Sequence, residues 1–291
     1  MEVFNVITIK RLSQCSLDDI LKAWNDGFEG YSAPVQMDMD SFLTRLVSEG
    51  LSPSLSLVAY SSDNPIGIVL SGSRMINGKK VAWNGGTAVA KNYRHQGVGK
   101  LLMEELFTLY KQEGVEIATL EAIYDNEKAI SLYKSLGYKV IDELHYLEHK
   151  GNIGVELESN YVINSIPASQ LESISFYKGM NPWQTHWNSA KGADVIVALD
   201  ANKEIVGYAY YRHSYDAGGK HVGTVLFQCE AISHDRDEVI KSFLHYMFDE
   251  SNELRVVIPN LPVTDSQETY EFFIKIGFTS IAKQVYMMKD F

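Results

Sequence analysis

The sequence predicts an α/β protein made of two similar halves, and three observations lead there. Strand-length runs of alternating polarity interleave with runs of helical period along the chain. The stretch Gln267 to Phe278 (QETYEFFIKIGF) echoes Glu127 to Tyr138 (EKAISLYKSLGY), each an amphipathic helix closed by glycine and an aromatic residue. Finally, 291 residues suffice for two domains of about 100–200 residues each.

The elements follow in order. Ile7 to Leu12 alternates as a strand. Ser16 is a helix cap, with Asp18 and Asp19 in the first turn of a helix to Phe28. Asp40 to Ser48 reads as a second helix, after a loop from Gly27 to Met39. Leu55 to Tyr60 and Ile66 to Ser71 are strands about the turn Asp63-Asn64-Pro65, and Asn77-Gly78 marks a hairpin into a strand from Lys80 to Val89. A helix from Val98 to Gln112 carries Val98, Leu101, Leu102 and Leu106 on one face. Then come a strand, Ile117 to Ala122, and a helix, Glu127 to Leu136, with Gly137 as a left-handed cap. Lys139 to Leu147 closes the half as a strand pair or long hairpin. Residues 148–160 are the expected linker, giving domains 1–150 and 155–291. In the second half, Ile205 to Tyr211 and Thr224 to Ile232 are the matching central strands.

Composition removes several function classes. There are 26 basic and 37 acidic residues, a net charge of −11, and neither half is basic. A protein that coats nucleic acid is normally cationic, so no nucleic-acid partner is expected. Cys15 and Cys229 are the only cysteines, which excludes a disulfide scaffold and a cysteine zinc site. The eight histidines have no metal-ligand spacing, and no metal is expected. No signal-peptide pattern opens the chain and no apolar run approaches the ~20 residues that span a bilayer. A cytoplasmic protein without a membrane partner is the simplest expectation.

One segment carries most of the chemistry, Ala88 to Lys100 (AVAKNYRHQGVGK). A strand ends, a turn holds Gly97 and Gly99, and a helix begins. Bare backbone at such a turn lets a ligand approach, and the helix N-terminus favours an anion such as phosphate. Lys91, Arg94, His95 and Lys100 add local positive charge to an acidic chain. Two other phosphate loops do not fit. A P-loop needs glycine at Arg94 and Ser or Thr at Leu101, and a dinucleotide fingerprint needs glycine at Leu102. The loop alone also fits an ordinary strand-to-helix turn.

The whole pattern says more. R-x-x-G-x-G from Arg94 to Gly99 is followed by L-E-A-x-x-x-N-E-x-A-x-x-L-Y-x-x-L-G-Y, Leu120 to Tyr138. Together these resemble the GNAT family of acyl-CoA-dependent N-acyltransferases. The resemblance covers residues 1–150, and 155–291 resemble the same fold without its cofactor loop, as in tandem GNAT proteins. It implies two α/β domains, each a mixed, mostly antiparallel sheet flanked by helices.

The resemblance also implies roles. Acetyl-CoA would be the co-substrate, its pyrophosphate on the backbone of Gln96, Gly97, Val98, Gly99 and Lys100, with Arg94 and His95 nearby. Its pantetheine arm would follow Ala88, Val89 and Ala90, where two parallel strands splay apart. Asn126 would touch the arm near the thioester, or be a plain helix cap. Tyr133 would protonate the departing thiolate, or pack in the apolar stripe. Glu121 would be the base for the acceptor amine, or a solvated strand residue. Glu29, Tyr31, Asp38 and Asp40 lie in the loop that usually lines the acceptor pocket. The acceptor is a small-molecule or peptide amine, attacked directly in a ternary complex because no cysteine lies near the motifs. A non-catalytic acyl-CoA-binding or sensory protein is the other reading. A monomer and a homodimer both stay open.

The second half departs from the pattern. Ile232 to Phe243 (ISHDRDEVIKSF) has no glycine, places Asp235, Asp237 and Glu238 at the helix start, and Phe273 stands where the first half has Tyr133. This half is expected to be catalytically dead.

Overall fold

The computed structural model describes residues 7–31, 35–153, 161–232, 234–248 and 254–291. The elements are β1 (Ile7–Arg11), α1 (Leu17–Gly27), α2 (Met39–Ser48), β2 (Leu57–Ser61), β3 (Asn64–Ile76), β4 (Lys79–Val89), α3 (Val98–Gln112), β5 (Ile117–Ile123), α4 (Glu127–Ser135) and β6 (Lys139–Gly151). They continue with β7 (Val162–Ser165), β8 (Asp194–Leu199), β9 (Ile205–Tyr215), β10 (His221–Ala231), α5 (Arg236–Met247), β11 (Leu254–Pro262), α6 (Gln267–Lys275) and β12 (Thr279–Asp290).

The chain forms two compact units of the α/β class expected. The first holds Met1–Ala122, Asn126–Val140 and Met287–Phe291; the second holds Ile123–Asp125 and Ile141–Tyr286. This differs from a cut at residue 150. The strand read as a hairpin is one continuous strand, β6, and all but its first two residues belong to the second unit. The end of β12 belongs to the first. Residues 154–160 of the expected linker lie outside the described residues.

In the first unit the antiparallel run β1-β2-β3-β4 continues into β5, which pairs with β4 in parallel. Beside β5, the Phe291 N–H donates to Glu116 O at 2.9 Å, and the Phe291 ring meets Phe107 edge-on at 5.3 Å. The second unit repeats the order. There β8, β9 and β10 are antiparallel, α5 follows, β11 pairs in parallel with β10, and β6 pairs with β11.

Local chemistry explains the elements. Ser16 Oγ accepts from Asp19 N–H at 3.1 Å and starts α1. Asn77 and Gly78 both have positive φ, the requirement of the tight hairpin joining β3 to β4. In α3 the buried face is Val98, Leu102, Met103, Leu106, Leu109 and Tyr110, whereas Leu101 is exposed. The observed stripe therefore leaves out one leucine that spacing alone had included. β3 buries Ile66, Ile68, Val69 and Leu70 on both its faces, as expected of a strand between two helical layers. Each such side chain contributes about 1.5–3 kcal/mol of hydrophobic stabilisation. Among the described residues no helix is long and apolar enough to cross a membrane.

The first unit's core also holds phenols. Burial pushes the ionisation of Tyr110, Tyr133 and Tyr138 above the ordinary tyrosine value. Burial favours their neutral forms over the phenolates. The resulting stability is complete below the unfolded value near 10 and is lost as pH rises through the folded values. A one-unit difference between folded and unfolded ionisation corresponds to about 1.4 kcal/mol. Urea midpoints should therefore hold near pH 9 and fall steeply by pH 11; a midpoint still flat at pH 11 contradicts this account.

Candidate active site

The site is built where β4 and β5 part. Their parallel register runs from Val81–Ile117 to Asn84–Leu120, and among the described residues it goes no further, although β4 continues to Val89 and β5 to Ile123. A bulge marks the same point. The β3–β4 register shifts between Leu70–Gly86 and Ser71–Asn84, and Gly86 has φ 150°. A Cβ on Gly86 would lie 2.8 Å from the Trp24 ring, so only glycine fits. Arg45 of α2 fixes the bulge by donating from Nη2 to Gly85 O at 2.6 Å, while its Nε pairs with Glu49 at 2.9 Å.

Past the bulge β4 still pairs with β3. Ala90 N–H donates to Ile66 O at 2.8 Å. Antiparallel alternation then turns Ala88 toward β3 as well and leaves the peptide groups of Thr87 and Val89 on the side that β5 has left. Of the three residues expected along the pantetheine arm, Val89 thus faces the gap, while Ala88 and Ala90 do not. The Val89 carbonyl already accepts from Arg94 Nε at 2.9 Å.

The loop after β4 makes a short 3-10 turn, Lys91–Tyr93, and enters α3 through two left-handed residues, His95 (φ 65°) and Gly97 (φ 83°). Gly97 is the N-cap of α3 and has no side chain to cap it. Only Leu101 N–H finds the Gly97 carbonyl, at 2.9 Å, so the N–H groups of Val98, Gly99 and Lys100 have no helical acceptor. A Cβ on Gly97 would meet nothing within 4 Å, and one on Gly99 only ordinary contacts with Leu132 and Val89. The space over these residues is therefore not needed by the chain's own packing. The helix end points bare N–H groups and a positive dipole into it, which suits a phosphate. Lys100 is exposed and 3.7 Å from Glu104, and Gln96 Nε2 donates to Asn92 O at 2.8 Å.

Arg94 has a different position from the one suggested by its charge. Its guanidinium donates to Val89 O, Gly27 O and Glu29 O at 2.9, 3.0 and 3.0 Å. It ties the end of α1 to the loop, rather than reaching out toward an anion. Its counterpart in the second unit, Arg236, donates in the same way to Ala231 O, five residues before it, at 2.6 Å.

Two tyrosines and an asparagine stand by the gap. Asn126 caps α4, its Oδ1 accepting from Ala129 N–H at 3.1 Å, and its Nδ2 donates to Tyr31 Oη at 2.7 Å. Capping and contact with the site loop are both realised. Tyr133 is buried, and burial holds its phenol protonated well into alkaline pH against the opposing pull of Thr87 and Asn84 beside it. Those two residues form a closed pair. Asn84 Nδ2 donates to Thr87 Oγ1 at 2.9 Å, and Asn84 Oδ1 accepts from the Gly86 N–H at 3.0 Å. Sequence reasoning missed Asn84 and Thr87, although Asn84 lies immediately before the glycine pair.

Glu121 is the first β5 residue beyond the last paired rung. Its Oε2 accepts from Trp83 Nε1 at 2.7 Å. Of the loop carboxylates, Asp38 is the N-cap of α2, accepting from Ser41 N–H at 2.8 Å, while Glu29 and Asp40 are exposed. Among the described residues no group of His, Cys, Asp and Glu is arranged to hold a metal ion.

The second unit also parts its strands, β10 from β11 after Val225–Val257. There the first turn of α5 carries Asp237 and Glu238. Asp235 takes the N-cap position without a side-chain capping hydrogen bond. The same strand, β10, carries a buried carboxylate, Glu230, which accepts from Ser266 Oγ and lies 3.5 Å from Lys178 Nζ.

Comparison with known proteins bears on the family and the fold. Residues 17–138 match the acetyltransferase (GNAT) family. The chain is 32% identical over 87 residues to N-alpha-acetyltransferase 30 of Schizosaccharomyces pombe, and 29% identical over 92 residues to that of Dictyostelium discoideum. These matches cover 30% and 32% of this chain and 58% and 50% of the relatives, so the chain spans only about half of their length. A solved GCN5-related N-acetyltransferase from Sphaerobacter thermophilus superposes with a TM-score of 0.64 at 11% identity, covering 98% of this chain and 95% of that one. Residues 17–138 of the first unit thus match the acetyltransferase (GNAT) family, in a chain whose second unit repeats the order of the strands, with 3-10 turns where the first has α1 and α2.

Proposed function

We propose that the protein is an N-acetyltransferase that moves an acetyl group from acetyl-CoA to an amine, with one active site per chain, in the first unit. The observation that carries this is the uncapped start of α3 at Gly97, set beside the gap between β4 and β5. The helix end supplies N–H donors for the pyrophosphate, and the gap supplies β4 peptide groups of Thr87 and Val89 that β5 does not pair, the Val89 carbonyl being shared with Arg94, for the amides of the pantetheine arm. Acetyl-CoA brings an activated thioester; the chain's residues manage protons and position. Glu121 takes the proton that the amine sheds as its nitrogen bonds to the acyl carbon. Tyr133, a phenol kept neutral by burial, gives its proton to sulfur as the carbon–sulfur bond breaks.

The second unit does not bind CoA in this reading. Asp237 and Glu238 repel a phosphate at the start of α5. A peptide α-amine is the acceptor to try first, a choice supported by the name N-alpha-acetyltransferase of the two relatives, ahead of spermidine, glucosamine and free amino acids.

Thiol release from acetyl-CoA with that panel, beside calorimetric titration with CoA, tests the proposal. One CoA per chain is expected. Tyr133→Phe should keep CoA affinity and lose about 10²–10⁴ in turnover, the usual contribution of an acid. Unchanged turnover removes Tyr133 as the acid. CoA binding without thiol release for any amine favours the non-catalytic binding reading, and two CoA per chain overturns the assignment to one unit.

A further inference from the structure

The contact between Trp83 and Glu121 goes further than the acid and base themselves. Trp83 is buried at 2% exposure on β4, and its indole N–H lies 2.7 Å from Glu121 Oε2. A buried indole needs an acceptor, and a backbone carbonyl would serve. Here the acceptor is a carboxylate one residue beyond the last β4–β5 rung, where no ladder partner on β4 fixes the strand. An indole donates only and does not titrate in the working range, so the bond holds whenever the carboxylate is charged.

We propose that Trp83 is a positioning residue that fixes the Glu121 carboxylate for taking the acceptor's proton, an inference that rests on Glu121 being the base. The surrounding residues form a strut for this purpose. A Cβ on Gly85 would lie 2.7 Å from Trp83 Cζ3 and 3.1 Å from Cε3, so glycine is what lets the ring lie along β4. Gly85 O is held by Arg45 at 2.6 Å, and Arg45 by Glu49 at 2.9 Å and by the face of Trp24 at 4.8 Å. A line of contacts thus runs from α2 through Arg45, Gly85 and Trp83 to Glu121. Without it the carboxylate would sample several rotamers, and a misplacement of 1 Å can cost about 10²-fold in rate.

The experiment is a pH–rate profile of the full chain, using acetyl-CoA and the best acceptor of the panel above. Trp83→Phe keeps a ring and removes the donor. It should lower kcat roughly 10- to 100-fold, leave the KM for acetyl-CoA unchanged, and move the acid limb to higher pH because the anion has lost a donated hydrogen bond. Gly85→Ala keeps the indole but displaces it, and should move the limb in the same direction; it decides the matter if Trp83→Phe fails to fold. In a proton–nitrogen NMR spectrum, Glu121→Gln should shift the Trp83 indole resonance more than those of Trp24, Trp183 and Trp187. If Glu121→Gln is slow while a folded Trp83→Phe keeps the wild-type profile, the positioning role is wrong and the base survives. If Glu121→Gln turns over at the wild-type rate, the base reading falls and this inference falls with it.

Discussion

Gly97→Asp should abolish measurable CoA binding, a loss of at least about 100-fold in affinity. Three effects act together. The left-handed φ of 83° at Gly97 strains any side chain, at a cost of roughly 1–3 kcal/mol. The new side chain projects into space that nothing in the chain fills. Its carboxylate would also accept from the first-turn N–H groups as an ordinary N-cap, placing a negative charge where the pyrophosphate should sit. The capping partly offsets the strain, so the thermal midpoint should fall by only a few degrees while binding disappears. Gly97→Ala separates the contributions. It has the strain without the charge and should weaken binding less than the aspartate does. Wild-type affinity in Gly97→Asp, measured by calorimetry, would falsify the phosphate site.

Deleting Met287–Phe291 should unfold or severely destabilise the first unit. These residues belong to that unit although they are remote from it in sequence. The deletion removes the Phe291 ring from Phe107 at 5.3 Å and Tyr110 at 5.7 Å, and the Phe291 N–H from Glu116 O. It also removes the strand segment beside β5. Phe291 is half-buried, but Met287 is fully buried, and removing a buried methionine side chain costs about 2–5 kcal/mol by itself, a large part of a typical domain's stability of 5–15 kcal/mol. A fragment of residues 1–150 lacks the same segment and should fail likewise. Hydrogen exchange tests this: amides of β4 and β5 should lose protection in the truncated chain. Unchanged protection would mean that the C-terminal segment is dispensable.

Much of the site was legible in the sequence because its chemistry is local. The Gly97–Gly99 turn, the Asn126 cap and the Asn77-Gly78 hairpin each need a particular residue at a particular backbone geometry, and a sequence displays such needs directly. The doubling was legible from the echo between the two glycine-closed helices. Strand partnership was not. The assignment of β6 to the second unit and of the end of β12 to the first depends on which edge each strand pairs with, and the residues of a strand do not name its partner. Arg94 was misplaced for a related reason. Its positive charge was visible next to a phosphate loop, but the carbonyls it bonds, Gly27 and Glu29, lie more than sixty residues earlier. Asn84, Thr87 and the Trp83–Glu121 bond were invisible because each depends on the point where β4 and β5 part.

The exchange of strand ends has a consequence for how the chain is made. Synthesis delivers the polypeptide from its N-terminus at about 5–20 residues per second. When Val140 emerges, the first unit has every part except its last strand segment, which is some 150 residues away. For roughly seven to thirty seconds at those rates the flank of β5 has no partner, and an open strand edge is a template for pairing with a neighbouring chain. Newly made protein should therefore be most prone to aggregate during this interval, and most dependent on chaperones, even though the finished molecule hides that edge.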